Sequence, residues 1–266
     1  MTAIPVDDAM AAGLGLSEAQ PGGLRIGSFA GADLTADREQ WLVDSLIAAL
    51  PNLKMAQLFA CRRDMFRDAD LITVAVDDGR AVGTLTSAWA TLPSGARFLH
   101  VLTQFVGERY QARRTHAFRL SWGDHFRNLV STAADFPGLI ALKTYNPIAY
   151  CAMRAFTRIP GVRIYPDPNL AVQDTRAQEL ATQVAAQVAA AVPFDPVTGV
   201  LHGAGRPVDL YPDLPVSSHP EVNDYFAAVT RPGDRVLAML EVPFDEQAAA
   251  ILRAFGLAAT STGGAT

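Results

Sequence analysis

Cysteine is scarce. Cys61 and Cys151 are the only two, far apart and outside any CxxC spacing, which excludes a disulfide framework and points to a reducing compartment. Lysine is as scarce, with only Lys54 and Lys143, so Schiff-base chemistry has few candidates. Lys143, beside Thr144-Tyr145-Asn146 at the end of an apolar run, is the one to watch. No apolar run approaches the roughly 18 residues of a membrane-spanning helix. Asp7 and Asp8 stand where a secretory leader carries positive charge, so a cytoplasmic protein is expected. A net charge of −5 and a pI near 5.5 argue against a broad nucleic-acid or anionic-membrane surface. The P-loop, the dinucleotide-binding G-x-G-x-x-G and the nucleophile elbow G-x-S-x-G are all missing.

What remains is ordinary for a globular chain: 50% apolar and 18% charged residues over 266 positions, enough for one large domain or a domain with an added piece. The segments 1–23 and 256–266 lack periodicity and read as poorly ordered ends.

Between them strand and helix patterns alternate. Residues 24–29 read as a strand. Thr35 caps a helix with Asp37 in its first turn and Leu42, Leu46 and Leu50 on one face, and a second helical stretch covers 55–67. Two β-rich runs, 72–76 and 81–87, flank Asp77-Asp78-Gly79-Arg80, a strong hairpin signal. A third strand, 97–106, follows the Pro93-Ser94-Gly95 turn. Phe118, Trp122, Phe126, Leu129 and Val130 share one face of a long helix, followed by a strand at 139–144, a helix at 147–156 and a strand at 162–165.

This order resembles that of the GNAT superfamily of N-acyltransferases, and three local features add to it. The strand ending Phe105-Val106 runs through Gly107-Glu108-Arg109-Tyr110-Gln111-Ala112-Arg113-Arg114-Thr115-His116 into a helix, where the family holds the coenzyme A diphosphate with the pattern Q/R-x-x-G-x-G/A. Asn146-Pro147-Ile148-Ala149 is similar to the family's Asn-x-x-Ala, and residues 162–165 stand where its next strand comes. The resemblance covers 24–165. It implies an α/β (α+β) fold with a mixed, mostly antiparallel twisted sheet flanked by helices, in which the strand 97–106 is central and splays from 139–144 at its C-terminal end to admit the pantetheine arm. It also implies acetyl-CoA or another acyl thioester as donor, bound by Phe105, Val106, Gln111, Arg113, Arg114, Thr115, His116 and Asn146.

The departures bear on mechanism. Only Gln111 matches the diphosphate pattern; Arg114 and His116 occupy its glycine and small-residue positions. They crowd a close backbone approach, while the neighbouring arginines offer guanidinium ligands for phosphate. Met153 stands where many members have the tyrosine that protonates the leaving thiolate, and Tyr150, one turn earlier, is the substitute candidate. His100, Gln104 and Glu108 are the candidates near a general base. His100, Leu102, Gln104 and Val106 alternate onto one face of their strand, and Gln104 has no useful pKa. Catalysis by positioning and ordered water needs no dedicated base.

The segment 166–235 is unlike the family. Thr175-x-x-Gln178 reads as a capping box opening a helix that runs to Pro193, and 193–232 is turn-rich with seven prolines. His202, Asp209, Asp213 and His219 within it have no metal-ligand spacing. The stretch 236–255 supplies a last strand and a covering helix. The activity implied is acyl transfer from acyl-CoA or a carrier-protein thioester to an amine or hydroxyl of a small molecule. The alternatives are a GNAT fold that has given up coenzyme A for other chemistry, and a non-catalytic binding protein. No metal, nucleic-acid or membrane partner is expected.

Overall fold

The computed structural model describes residues 14–17, 23–111, 117–133 and 136–257. Strands β1 (Arg25–Ala30), β2 (Leu71–Asp77), β3 (Arg80–Thr91) and β4 (Arg97–Val106) form an antiparallel run. At the β2–β3 turn Asp78 (φ 47°) and Gly79 (φ 71°) both adopt the left-handed conformation of a two-residue primed turn. β3 outruns its expected end because Ala88 to Thr91 keep partners in β4.

Beyond β4 the order is β5 (Leu139–Thr144), then β9 (Arg235–Glu241). The far edge of β9 is shared by β6 (Arg163–Tyr165) and β8 (Val200–Leu201), with β7 (Phe194–Asp195) outermost. Only β4 and β5 pair in parallel among the described strands. The fold is therefore a mixed, mostly antiparallel sheet flanked by helices. Its last strand enters between β5 and β6, which are close in sequence, so the segment 166–235 is an excursion that leaves the sheet edge and returns to it.

The sheet buries both faces. On the first lie α4 (Ala117–Ala133), α5 (Pro147–Arg154), α7 (Pro220–Val229) and α8 (Asp245–Ala254). There Trp122, Phe126, Tyr150, Phe226 and Ile251 pack on Leu99, Val101, Ile140, Leu142 and Leu240. On the second lie α1 (Ala36–Ala49), α2 (Met55–Cys61) and α3 (Asp64–Arg67), packed on Ile72, Val74 and Phe105. Beside them α6 (Thr175–Val188) sets Ala181 and Val184 against Phe98, Ala141, Leu237 and Met239. Thr35 caps α1 as its position predicts, its hydroxyl accepting from the Arg38 N–H at 3.3 Å.

Several local expectations are corrected. The stretch 55–67 is two short helices, since the chain leaves helical geometry at Arg62. α6 is capped by Asp174, whose carboxylate accepts from the Ala177 N–H at 3.1 Å. Gln178 turns back to the Gln173 carbonyl, so Thr175 and Gln178 form no capping box. The helix stops at Val188, before Pro193. Residues 14–17, expected to be loose, dock on β1: Leu14 is fully buried and Ser17 N–H donates to the Ile26 carbonyl at 2.7 Å. Gly27 permits that approach, because a Cβ there would lie 2.7 Å from the Leu14 and Gly15 carbonyl oxygens.

Candidate active site

The site begins with how two strands part. β4 and β5 pair only at Leu99–Ile140, His100–Ala141 and Val101–Leu142. Past Val101 β4 keeps its partner β3 but not β5, so residues 102–106 present peptide groups toward an opening between the strands. Sequence expectation placed a splay here, and the structure has it. The cause is local. Thr86 pairs with Thr103 but Ser87 with Val101, so Leu102 is an extra residue, a β-bulge that bends its strand.

The bulge also changes which side chains share a face. His100 pairs with Ala88 and Ala141, whose face is the second one. Gln104 pairs with Leu85, in the core of the first face, and Val106 packs there against Ala117 and Tyr110. The expectation that His100, Leu102, Gln104 and Val106 share a face is thus wrong. One inserted residue inverts the alternation beyond it. Gln104 therefore opens toward α4 and α5, and its Nε2 is buried with no hydrogen-bond partner.

Of the candidate catalytic groups, Tyr150 is fully buried and its hydroxyl donates to the Pro166 carbonyl at 2.5 Å. Burial drives its pKa well above the ordinary tyrosine value. That is a core tyrosine with its one proton engaged, which removes the geometric basis for its role as donor to a thiolate. Glu108 lies in a 3-10 turn beyond β4, where its carboxylate accepts from the Asn52 backbone N–H at 3.2 Å and side-chain amide at 2.7 Å. It ties the α1–α2 connection to the end of β4, a tether in place of the expected base. His100 is buried, and desolvation, with the charges of Lys143 and Arg62, lowers its pKa to about 3. It is a neutral, weak base in this arrangement.

The expected cofactor residues divide. Phe105 is buried in the second-face core against α1, not in the opening. The Val106 carbonyl accepts from Gln111 Nε2 at 2.9 Å, so the one residue that matches the family's loop pattern closes the strand end. Asn146 caps α5, its Oδ1 accepting from the Ile148 N–H at 2.8 Å. Arg113, Arg114, Thr115 and His116 lie outside the described residues.

The second face gathers Lys143, which the sequence singled out, with Arg235 and Tyr211, which sequence reasoning missed. Lys143 pairs with Leu237 across β5 and β9, and Arg235 lies two residues further along β9 on the same face. The Arg235 guanidinium stacks 5.6 Å from the Tyr145 ring centroid, and Tyr145 lies 6.4 Å from Tyr211. Burial raises the Tyr211 pKa, opposed by hydrogen bonding with Asn146 and by the Arg235 charge. Desolvation lowers the Lys143 pKa to about 8. A signal was present: Arg235, Leu237 and Met239 alternate into a face that Lys143 joins once β5 and β9 are paired, but that pairing spans the long excursion. Among the described residues no group of three or more His, Cys, Asp or Glu is placed to hold a metal ion.

The element order, the parted β4–β5 pair and the last strand between β5 and β6 are consistent with the GNAT fold that the sequence resemblance implies. No protein-family model and no curated protein matches the sequence. Solved structures do match, at low similarity. An aminoglycoside acetyltransferase from an uncultured soil metagenomic sample, solved with trehalose, is 12% identical, with 52% of this chain and 89% of that one covered, at a TM-score of 0.35. Arabidopsis thaliana Naa50, solved with a bisubstrate analogue, is 11% identical over 80% of this chain and 97% of its own, at 0.37. Chaetomium thermophilum Naa20, also with a bisubstrate analogue, is 16% identical over 81% and 85%, at 0.36.

Proposed function

We propose that this chain transfers an acyl group from a thioester, acetyl-CoA or another phosphopantetheine carrier, to an amine or hydroxyl of a small molecule. The observation that carries the reading is the free edge of β4 over 102–106. An amide-bearing pantetheine arm can add to such an edge as a further strand does, taking its affinity from main-chain hydrogen bonds. Gln104 supports it with an unpartnered amide on the α4–α5 side, a donor suited to a carbonyl oxygen. Arg113 and Arg114, just beyond Gln111, would meet the diphosphate by side chain. In the reaction the acceptor nitrogen or oxygen attacks the thioester carbonyl, the C–S bond breaks, and the acceptor's proton leaves to solvent as the thiolate departs. With His100 weakly basic and the Tyr150 proton engaged, the site works by holding the two reactants together. The test is thiol release from acetyl-CoA and longer acyl-CoAs against a panel of small amines and alcohols. Acceptor-dependent release is expected; its absence with folded protein across the panel would overturn the reading.

One observation favours a second reading, a GNAT fold with other chemistry on a small metabolite. Leu210, from the segment 193–232, is buried in the α1–α2 core, and its carbonyl accepts from the Lys54 N–H at 3.2 Å. Tyr211 reaches Tyr145 and Asn146 at the end of β5. The excursion thus bridges the ends of the parted strands on the second face. Turnover of a metabolite without binding of any coenzyme A species would select this reading.

A further inference from the structure

We propose that Lys143 of β5, Arg235 of β9 and His100 of β4 form a pocket on the second face that binds the carboxylate or phosphate group of a small molecule. That molecule is the acceptor if the acyl-transfer reading holds, and the identification as acceptor rests on it. The three side chains share one face by register, because His100 is paired with Ala141, two residues before Lys143, and Lys143 with Leu237, two after Arg235. The carboxylates nearby are committed elsewhere. Asp64 is held by the Arg62 guanidinium through two contacts, at 3.1 and 3.2 Å. Asp234 accepts from the backbone N–H groups of Gly203 at 2.9 Å and Arg231 at 3.0 Å. Among the described residues neither Lys143 nor Arg235 contacts a carboxylate. Lys143 donates to the Val188 carbonyl at the end of α6, and Arg235 to the Asp234 carbonyl.

Two partly buried cations with no carboxylate in contact are costly, and the local design keeps them. Gly205 leaves room for the guanidinium, since a Cβ there would fall 2.1 Å from Arg235 Nη1 and displace it. His100, only 8% exposed, adds a buried Nε2 with no hydrogen-bond partner, and the Tyr145 ring lies 5.6 Å from the Arg235 guanidinium and 6.4 Å from the Tyr211 ring. An anion there repays the desolvation of both cations and takes a proton from neither.

The presence of only two lysines makes the test direct. Protein carrying [13C]lysine gives side-chain NMR signals for Lys54 and Lys143 alone. Inorganic phosphate and succinate are titrated separately against sodium chloride at matched ionic strength. The Lys143 signal should move saturably with phosphate or succinate but not chloride, and its titration midpoint should rise from about 8. The arm that saturates at lower concentration distinguishes phosphate from carboxylate. Arg235→Gln should weaken the response roughly tenfold or more, with Arg235→Lys recovering part of it; should Arg235→Gln fail to fold, the wild-type titration still decides. A Lys143 signal that follows ionic strength only, or an unchanged midpoint in folded Arg235→Gln, would overturn the pocket. Acetyl-CoA added to the same sample separates the two ideas. If neither it nor longer acyl-CoAs bind while phosphate still moves Lys143, the coenzyme A reading is lost and the pocket stands; the reverse outcome removes the pocket alone.

Discussion

His125 and His100 are both buried and both held neutral by desolvation, with pKa values lowered to about 3. Their surroundings differ. His125, on α4, shares hydrogen bonds of 2.8 Å with Thr73 and with Ser87, so each ring nitrogen is satisfied beneath the first-face core. His100 leaves Nε2 unpaired at the site. Each lowered value has a consequence for stability. The unfolded chain takes up these protons below about pH 6.5 while the folded chain resists, so stability is full above that value and lost as pH falls toward 3. Denaturant unfolding between pH 8 and 4 should show a falling midpoint, with a shallower fall in His125→Gln. A flat profile would mean that both rings accept protons in the folded state. Tyr150→Phe belongs to the same scale. It leaves the buried Pro166 carbonyl without its donor and should cost about 1–3 kcal/mol in urea unfolding. Turnover per folded molecule should stay unchanged, and a loss of about 10²-fold would restore the proton-donor role.

At the scale of elements, α6 separates two readings of one sequence. Asp174→Ala should destabilise by about 0.5–2 kcal/mol, as loss of a cap does, and Thr175→Ala should cost much less, both read from thermal unfolding. Equal effects would reinstate the capping box. The sequence signal failed there because Asp174 and Thr175 are both good caps, and only the geometry selects one. Other elements were legible: Asp78-Gly79 between β-rich runs, Thr35 before α1, and the apolar stripe of α4 each carry a strong local pattern. α7 was missed inside the segment read as turn-rich: Pro220 stands at its first turn and Val222, Tyr225, Phe226 and Val229 share a face, but the density of prolines around it masked the pattern. β7 and β8, two residues each, have too little length to show a period. The bulge at Leu102 is the least readable feature and the most consequential. Nothing in Val101-Leu102-Thr103 announces an extra residue, yet it decides that Gln104 and His100 face opposite sides.

On the scale of the whole molecule, residues 166–235 leave one edge of the sheet, cross the ends of β4 and β5, and return as β9 between β5 and β6. The parting of the two strands was expected from the family order; the basic pocket was not, because its members stand on strands brought together only by that long excursion. Leu210 fastens the crossing, and Leu210→Ala should cost about 2–5 kcal/mol in denaturant unfolding, as truncation of a buried leucine does. A cost below about 0.5 kcal/mol would show that the crossing is not anchored there. The central claim is that the free edge of β4 receives an acyl thioester, and amide hydrogen exchange over 102–106 tests it most directly. With saturating acetyl-CoA, those amides of 102–106 that point away from β3 should exchange more slowly, while those of 99–101, already paired to β5, stay unchanged. Unaltered exchange across 102–106 under acetyl-CoA and longer acyl-CoAs would contradict the account.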